Sequence, residues 1–266
     1  MKGLTMPKDD ATLSAASVGS TAVPFAPYYE DELVTIYNAD CRSVLPYLSD
    51  IGALITDPPY SSGGMVRSDR QQKTAAKYQR SGIRPLDEFT GDNRDQRAYC
   101  SWVADWTSLA LSSCSPSGLC FLFTDWRQLP TTTDAIQWGG WVWRGLVTWH
   151  KPSGRRLQNR FASDAEYVVW GSNGSMPFDL DSAAGPSSVI TADAPRGGQR
   201  VHIAQKPPAV IRHLLPLTAG VVLDPFMGSG TTLVACKLDG RKAVGIEINE
   251  GYCEAAANRL RQGVLF

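Results

Sequence analysis

The chain lacks any apolar run approaching the roughly 20 residues that a membrane-spanning helix needs, so no membrane span is expected. Histidine is scarce, at three residues, and the six cysteines (Cys41, Cys100, Cys114, Cys120, Cys236 and Cys253) form no C-x-x-C pair. Without that spacing, neither a zinc site nor a disulfide framework is expected, and no metal is assigned. An excess of charge of one sign is also missing. Lys plus Arg number 26 and Asp plus Glu 26, for a formal net charge of zero, so any nucleic-acid partner must be sought in how charge is distributed. Residues 1–27 are rich in Ala, Ser, Thr and Pro but have no continuous apolar core of a secretory signal. They read as a loosely ordered arm on a cytoplasmic protein. No internal repeat and no linker between independent domains is visible, and 266 residues suit one α/β domain with a sizeable core.

What is present is alternation. Apolar runs near 33–37, 51–56, 118–124, 141–149, 165–170, 220–224 and 242–247 read as strands, and amphipathic stretches at 42–48, 96–113, 206–215, 230–239 and 250–262 as helices. The pattern predicts an α/β fold with a mostly parallel seven-stranded sheet covered by helices on both faces. Trp102 and Trp106 lie one turn apart on a face expected to be buried, and core packing accounts for most of the eight tryptophans, all between 102 and 170. Residues 61–95 and 171–200 resist regular structure, and long loops in a compact domain are more often functional than decorative. Basic residues crowd two places: Arg67, Arg70, Lys73, Lys77, Arg80 and Arg84 against the single acid Asp69, and Lys151, Arg155, Arg156 and Arg160 with no acid. Both read as candidate phosphate contacts, the alternative being solvated loops.

The segment Val221-Val222-Leu223-Asp224-Pro225-Phe226-Met227-Gly228-Ser229-Gly230-Thr231-Thr232 is an apolar strand, a glycine-bearing turn and a helix start. An α/β sheet makes its ligand crevice in this way, at the carboxyl ends of strands. Gly228 and Gly230 permit close backbone approach, while Thr231 and Thr232 offer hydroxyls beside helix N-terminal amides, where a carboxylate is welcome. The next strand ends in Glu247-Ile248-Asn249, which puts Glu247 about 20 residues after the turn, the usual separation for gripping ribose hydroxyls. A nicotinamide or flavin is disfavoured because Leu233 stands where that fingerprint has its third glycine. A purely structural tight turn is the other reading.

A second strand, Ala53-Leu54-Ile55-Thr56, runs into Asp57-Pro58-Pro59-Tyr60. Two consecutive prolines remove backbone donors and keep the chain extended, so that the Pro58 carbonyl can face a pocket beside the Asp57 carboxylate. An exocyclic base amine carries two hydrogens and is matched by two such acceptors, with Tyr60 available to stack on an extruded base. The alternative is a simple turn after a strand. Methylation at a cytosine ring carbon would need a nucleophilic cysteine, usually after proline, and no Pro-Cys dipeptide occurs.

Together, D-P-P-Y at 57–60 and D-P-F-M-G-S-G-T-T at 224–232 resemble the S-adenosylmethionine-dependent DNA amino-methyltransferases, over roughly residues 33–260. With the catalytic motif first, the order resembles the circularly permuted β-group of that family. The resemblance implies a single Rossmann-like methyltransferase domain over 28–266, with a catalytic half at 28–170, a short target-recognition insertion at 171–200 and a cofactor half at 201–266. It implies that His202 and Lys206 lie near the methionine carboxylate, and that Asp40 and Cys41 lie beside the adenine or ribose. Trp149-His150-Lys151-Pro152 and Glu166-Tyr167-Val168-Val169-Trp170 resemble later motifs of the catalytic half. The expected partner is double-stranded DNA, the expected cofactor S-adenosyl-L-methionine, and a homodimer is expected because members of this group are often dimers. Aspartate at 57 favours the N6 of adenine over the N4 of cytosine. RNA or protein-glutamine methylation and a catalytically silent DNA-binding protein are the remaining alternatives. Because the insertion spans only about 30 residues, either a short recognition sequence is expected or part of the target reading falls on 61–95 or on a second subunit.

Overall fold

The computed structural model describes residues 23–60, 94–156, 158–159, 161–176, 184–193 and 206–262. Nine strands are found among them: β1 (Tyr29–Glu30), β2 (Val34–Asn38), β3 (Ile51–Thr56), β4 (Cys114–Thr124), β5 (Val142–Arg155), β6 (Ser163–Ser172), β7 (Val189–Thr191), β8 (Val221–Asp224) and β9 (Ala243–Glu247). They form one sheet in the order β1-β2-β9-β8-β3-β4-β6-β5-β7. Pairing is parallel from β2 through β9, β8 and β3 to β4, and antiparallel where β6 lies between β4 and β5.

Among the described residues six α-helices accompany the sheet: α1 (Cys41–Val44), α2 (Gln96–Ser113), α3 (Leu129–Trp138), α4 (Pro208–Leu214), α5 (Thr231–Leu238) and α6 (Glu250–Arg261). Alternation along the strands feeds two cores. Ile55 and Val222 pack with Val210, Leu214, Leu233 and Ala256 from α4, α5 and α6. Their neighbours Leu54 and Leu223 pack with Val44, Tyr99, Trp106 and Ile136 from α1, α2 and α3. Since successive strand side chains point to opposite faces, three helices cover each side of the sheet.

The seven expected strands are all present, and two short ones extend the sheet at its edges. β7 lies inside the stretch read as lacking regular structure; its three β-branched residues pair with Thr148–His150 of β5. Helix α3 was not expected, because Pro130 and three successive threonines argue against a helix interior. Tertiary structure decides otherwise. Pro130 sits in the first turn, where a missing amide costs nothing, and buried Thr132 bonds Gln128 O (2.9 Å) and Thr124 Oγ1 (3.0 Å). The expectation for the tryptophans holds only in part. Trp106, Trp141 and Trp149 are buried, whereas Trp126, Trp138 and Trp143 are 58%, 74% and 43% exposed.

Candidate active site

β3 and β8 lie side by side, with Leu54 opposite Leu223, so their carboxyl ends open together. From β3 the chain crosses through α2 on one face to β4, and from β8 through α5 on the other face to β9. Divergence of two crossovers leaves a crevice at the strand ends, and both sequence motifs project there. A buried hydrogen bond clasps them: Thr56 Oγ1 donates to Asp224 Oδ1 at 2.7 Å. Asp224 also accepts from the Phe226 amide. Burial pushes its pKa up to about 7, against the opposing hydrogen bonds from Thr232 and Thr56. Asp224, expected among the ligand contacts, is 3% exposed and engaged in this clasp. Pro58 and Pro225, each following one of the two aspartates, are buried as well, and Pro59 is partly so.

A line of alternating charges leads inward from Asp57. Lys206 Nζ lies 2.7 Å from Asp57 Oδ2 and 3.3 Å from Glu166 Oε2, and Lys151 Nζ lies 2.8 Å from Glu166 Oε1. Lys206 also donates to the Tyr60 hydroxyl at 3.5 Å and sits 5.6 Å from the Tyr60 ring and 5.4 Å from that of Phe123. Burial alone would lower the pKa of this ammonium, but Asp57 and Glu166 outweigh it and hold the group above its usual range. Burial would likewise raise Glu166, and Lys206 and Lys151 keep it below the ordinary carboxylate range. Lys206 and Glu166 therefore stay charged, as burial of ions requires partners.

Two residues expected to meet ligands lie in this line. The Lys206 ammonium is held by two carboxylates of the catalytic half, because a lysine only 7% exposed needs such partners. Lys151, read as a phosphate contact, has its charge committed to Glu166 beside the Trp149 ring. Arg156 is exposed and Arg155 closes β5. Arg67, Arg70, Lys73, Lys77, Arg80, Arg84 and His202 lie outside the described residues, as does most of the expected N-terminal arm.

On the other side of the crevice the glycine turn is built as the sequence implies. Gly230 caps α5 in the left-handed region (φ 78°), and a Cβ there would lie 2.8 Å from that of Ala256. Thr231, Thr232 and Ser229 are buried in the turn, and Gly228 also has positive φ (50°). The close helix-to-strand approach that a third glycine would supply from α5 comes instead from β9, where a Cβ on Gly245 would meet Leu233 Cδ1 at 2.6 Å. Glu247 accepts from the Gly228 amide (3.0 Å) and the Asn249 amide (2.8 Å), linking the turn to the end of β9. Burial raises its pKa, and those amides oppose the rise. Ile248 is exposed, and the Asn249 side chain caps α6. Phe226 leaves the turn to pack edge-on against Trp102 (5.2 Å) and Trp106 (4.9 Å).

Asp40 caps α1 and pairs with Arg42 at 2.6 Å, at the mouth beside β9. Its neighbour Cys41 is buried in the core, and burial pushes the thiol up to about 12, so it stays protonated. Arg259 is a residue that sequence reasoning missed. From α6 it donates to the Ser229 carbonyl and reaches Ser229 Oγ (3.4 Å) and Thr231 Oγ1 (3.5 Å), bracing the turn. No local signal marks an arginine near the end of a helix as the support of a turn some 30 residues earlier.

A glycine turn and a proline-flanked carboxylate on neighbouring strand ends define the class: an α/β enzyme holding a nucleotide-like ligand against an acceptor site. The chain belongs to the DNA methylase family of N6 and N4 methyltransferases, which matches over residues 51–258. It is similar to the type II methyltransferase M.ScaI of Streptomyces caespitosus, at 26% identity covering 88% of this chain and 83% of that protein. It is similar also to type II methyltransferase M2.LlaDCHI of Lactococcus lactis subsp. cremoris, at 25% identity covering 90% and 94%. The fold resembles that of M1.HpyAVI in its SAM complex, with a TM-score of 0.63 at 23% identity over 86% of this chain and 99% of that one. It equally resembles the cytosine-N4-specific PvuII DNA methyltransferase, with a TM-score of 0.64 at 19% identity over 89% of each chain.

Proposed function

We propose that this protein transfers a methyl group from S-adenosylmethionine to the N6 amino group of adenine in double-stranded DNA. The observation that carries the reading is the Thr56–Asp224 clasp, which sets the acceptor motif and the glycine turn side by side at the switch point. The turn fits the donor. Gly228 and Gly230, both at positive φ, bend the chain sharply into α5, Thr231 and Thr232 open a helix whose amides suit a carboxylate, and Glu247 stands at the next strand end to accept from ribose hydroxyls. Exposed Ile248 and Phe226 offer apolar contact to an adenine ring, with Asp40 and Asn249 at the rim. When bound, the donor supplies a sulfonium-activated methyl carbon.

The protein's own groups prepare the acceptor. Asp57, paired with Lys206, accepts a hydrogen bond from one amine hydrogen and the Pro58 carbonyl accepts one from the other, which turns the nitrogen lone pair toward the methyl carbon; the thioether product leaves and the amine sheds one proton to water. Tyr60 stacks on a base drawn out of the duplex. Residues 28–170 act as the catalytic half, 201–266 as the cofactor half and 171–200 as the target-recognition insertion. N4-cytosine methylation is the second reading, favoured by the fold likeness to the cytosine-N4-specific PvuII enzyme. Incubating purified protein and S-adenosylmethionine with duplex DNA, then separating the nucleosides, distinguishes them. N6-methyl-2′-deoxyadenosine supports the proposal, N4-methyl-2′-deoxycytidine supports the alternative, and neither product removes both.

A further inference from the structure

Beyond the D-P-P-Y motif, one turn at the same edge of the sheet has the build of a ligand contact. β4 runs parallel to β3 with Leu122 opposite Thr56, so Thr124 ends about 7 Å beyond Thr56 and the turn Asp125–Gln128 follows at the same carboxyl edge of the sheet as Asp57. Burial raises the Tyr99 phenol, its bond to Thr132 opposes the rise, and Asp57 and Asp125 both add to it, which places the two acids around one hydroxyl.

The turn is stiff. Asp125 is 8% exposed, and its Oδ1 accepts from the amides of Arg127 (3.0 Å) and Gln128 (3.1 Å). Between those anchors Trp126 is held outward, 58% exposed, with the Arg127 guanidinium 5.5 Å from its ring centroid and 3.4 Å from Asp125 Oδ2. A tryptophan so displayed forgoes a large burial gain, and rigid aromatic rings beside a cation are what stacking on bases uses. A second observation is independent of exposure. Among the described residues, the buried Arg127 Nε and the Oε1 of Gln128, a residue 6% exposed, have no hydrogen-bond partner. A donor and an acceptor left so are costly unless a ligand engages them. The other strongly exposed tryptophans, Trp138 and Trp143, flank the start of β5, at the opposite edge of the sheet.

Resting on the DNA-methylation reading above, we propose that the Asp125–Gln128 turn is a second DNA contact, in which Trp126 stacks on a base beside the extruded nucleotide and Arg127 meets the adjoining backbone. Duplex affinity of the full chain is measured by fluorescence anisotropy, with S-adenosylmethionine affinity as the control for folding. Trp126→Ala weakens duplex binding about tenfold and Trp126→Phe restores most of it, while donor affinity stays unchanged. Arg127→Gln lowers the slope of log affinity against log salt by about one. Equal duplex affinity for wild type and Trp126→Ala overturns the proposal, as does an equal loss in the alanine and phenylalanine variants. If wild type transfers no methyl group yet binds duplex in a Trp126-dependent way, the methylation reading falls and this contact stands. If wild type binds no duplex, both fall.

Discussion

At the scale of single residues, the consequences follow from charges that have no water to fall back on. Asp57→Ala is expected to abolish methyl transfer while leaving donor binding within a few-fold of wild type, measured by turnover and calorimetry, because the glycine turn lies on a different strand. Lys206→Met leaves Asp57 and Glu166 as facing, partly buried carboxylates without the buried cation between them. Stability should fall by about 3–5 kcal/mol in a denaturant titration. Turnover should fall as well, because the Asp57 carboxylate loses the cation that positions it. Asp224 carries the dependence on pH. Its folded pKa, near 7, lies above that of an unfolded aspartate, so the native state binds the extra proton. The stability it contributes is complete below about pH 4 and is lost as pH rises toward 7. Asp224→Asn should flatten that decline in a series of melts across this range.

At the scale of elements, the glycine turn is the least forgiving piece. Gly230→Ala puts a methyl group 2.8 Å from the Ala256 Cβ and forces a side chain into the left-handed region. A loss of about 1–3 kcal/mol and a weaker donor affinity are expected, by chemical denaturation and calorimetry. Elements of this sort were legible in the sequence because their signals are local. Strand, aspartate, glycines and threonines stand in one contiguous run at 221–232, and D-P-P-Y follows its strand directly. Helix α3 was hidden because its threonines are poor helix formers on their own, and only the hydroxyl of Thr124 and the packing of Ala135 and Ile136 make the segment helical. The partners of Lys206 were hidden for a related reason. Glu166 and Lys151 lie on antiparallel strands whose register, Trp149 opposite Glu166, is set by the whole sheet.

At the scale of the whole molecule, the sheet is continuous from one motif to the other, and β3 lies between β8 and β4. Calorimetry should therefore record one unfolding transition for both halves, raised by S-adenosylmethionine. A hundredfold excess over the dissociation constant adds about 2.7 kcal/mol. The α/β class and parallel centre were readable from alternating runs, whereas the edge strands β1 and β7 were too short to stand out. The clasp between Thr56 and Asp224 joins residues 168 positions apart. On the ribosome, β3 emerges long before the strand it must sit beside. The nascent chain thus exposes its D-P-P-Y segment while 168 further residues are made, and only the arrival of Asp224 lets the two strand ends close on each other.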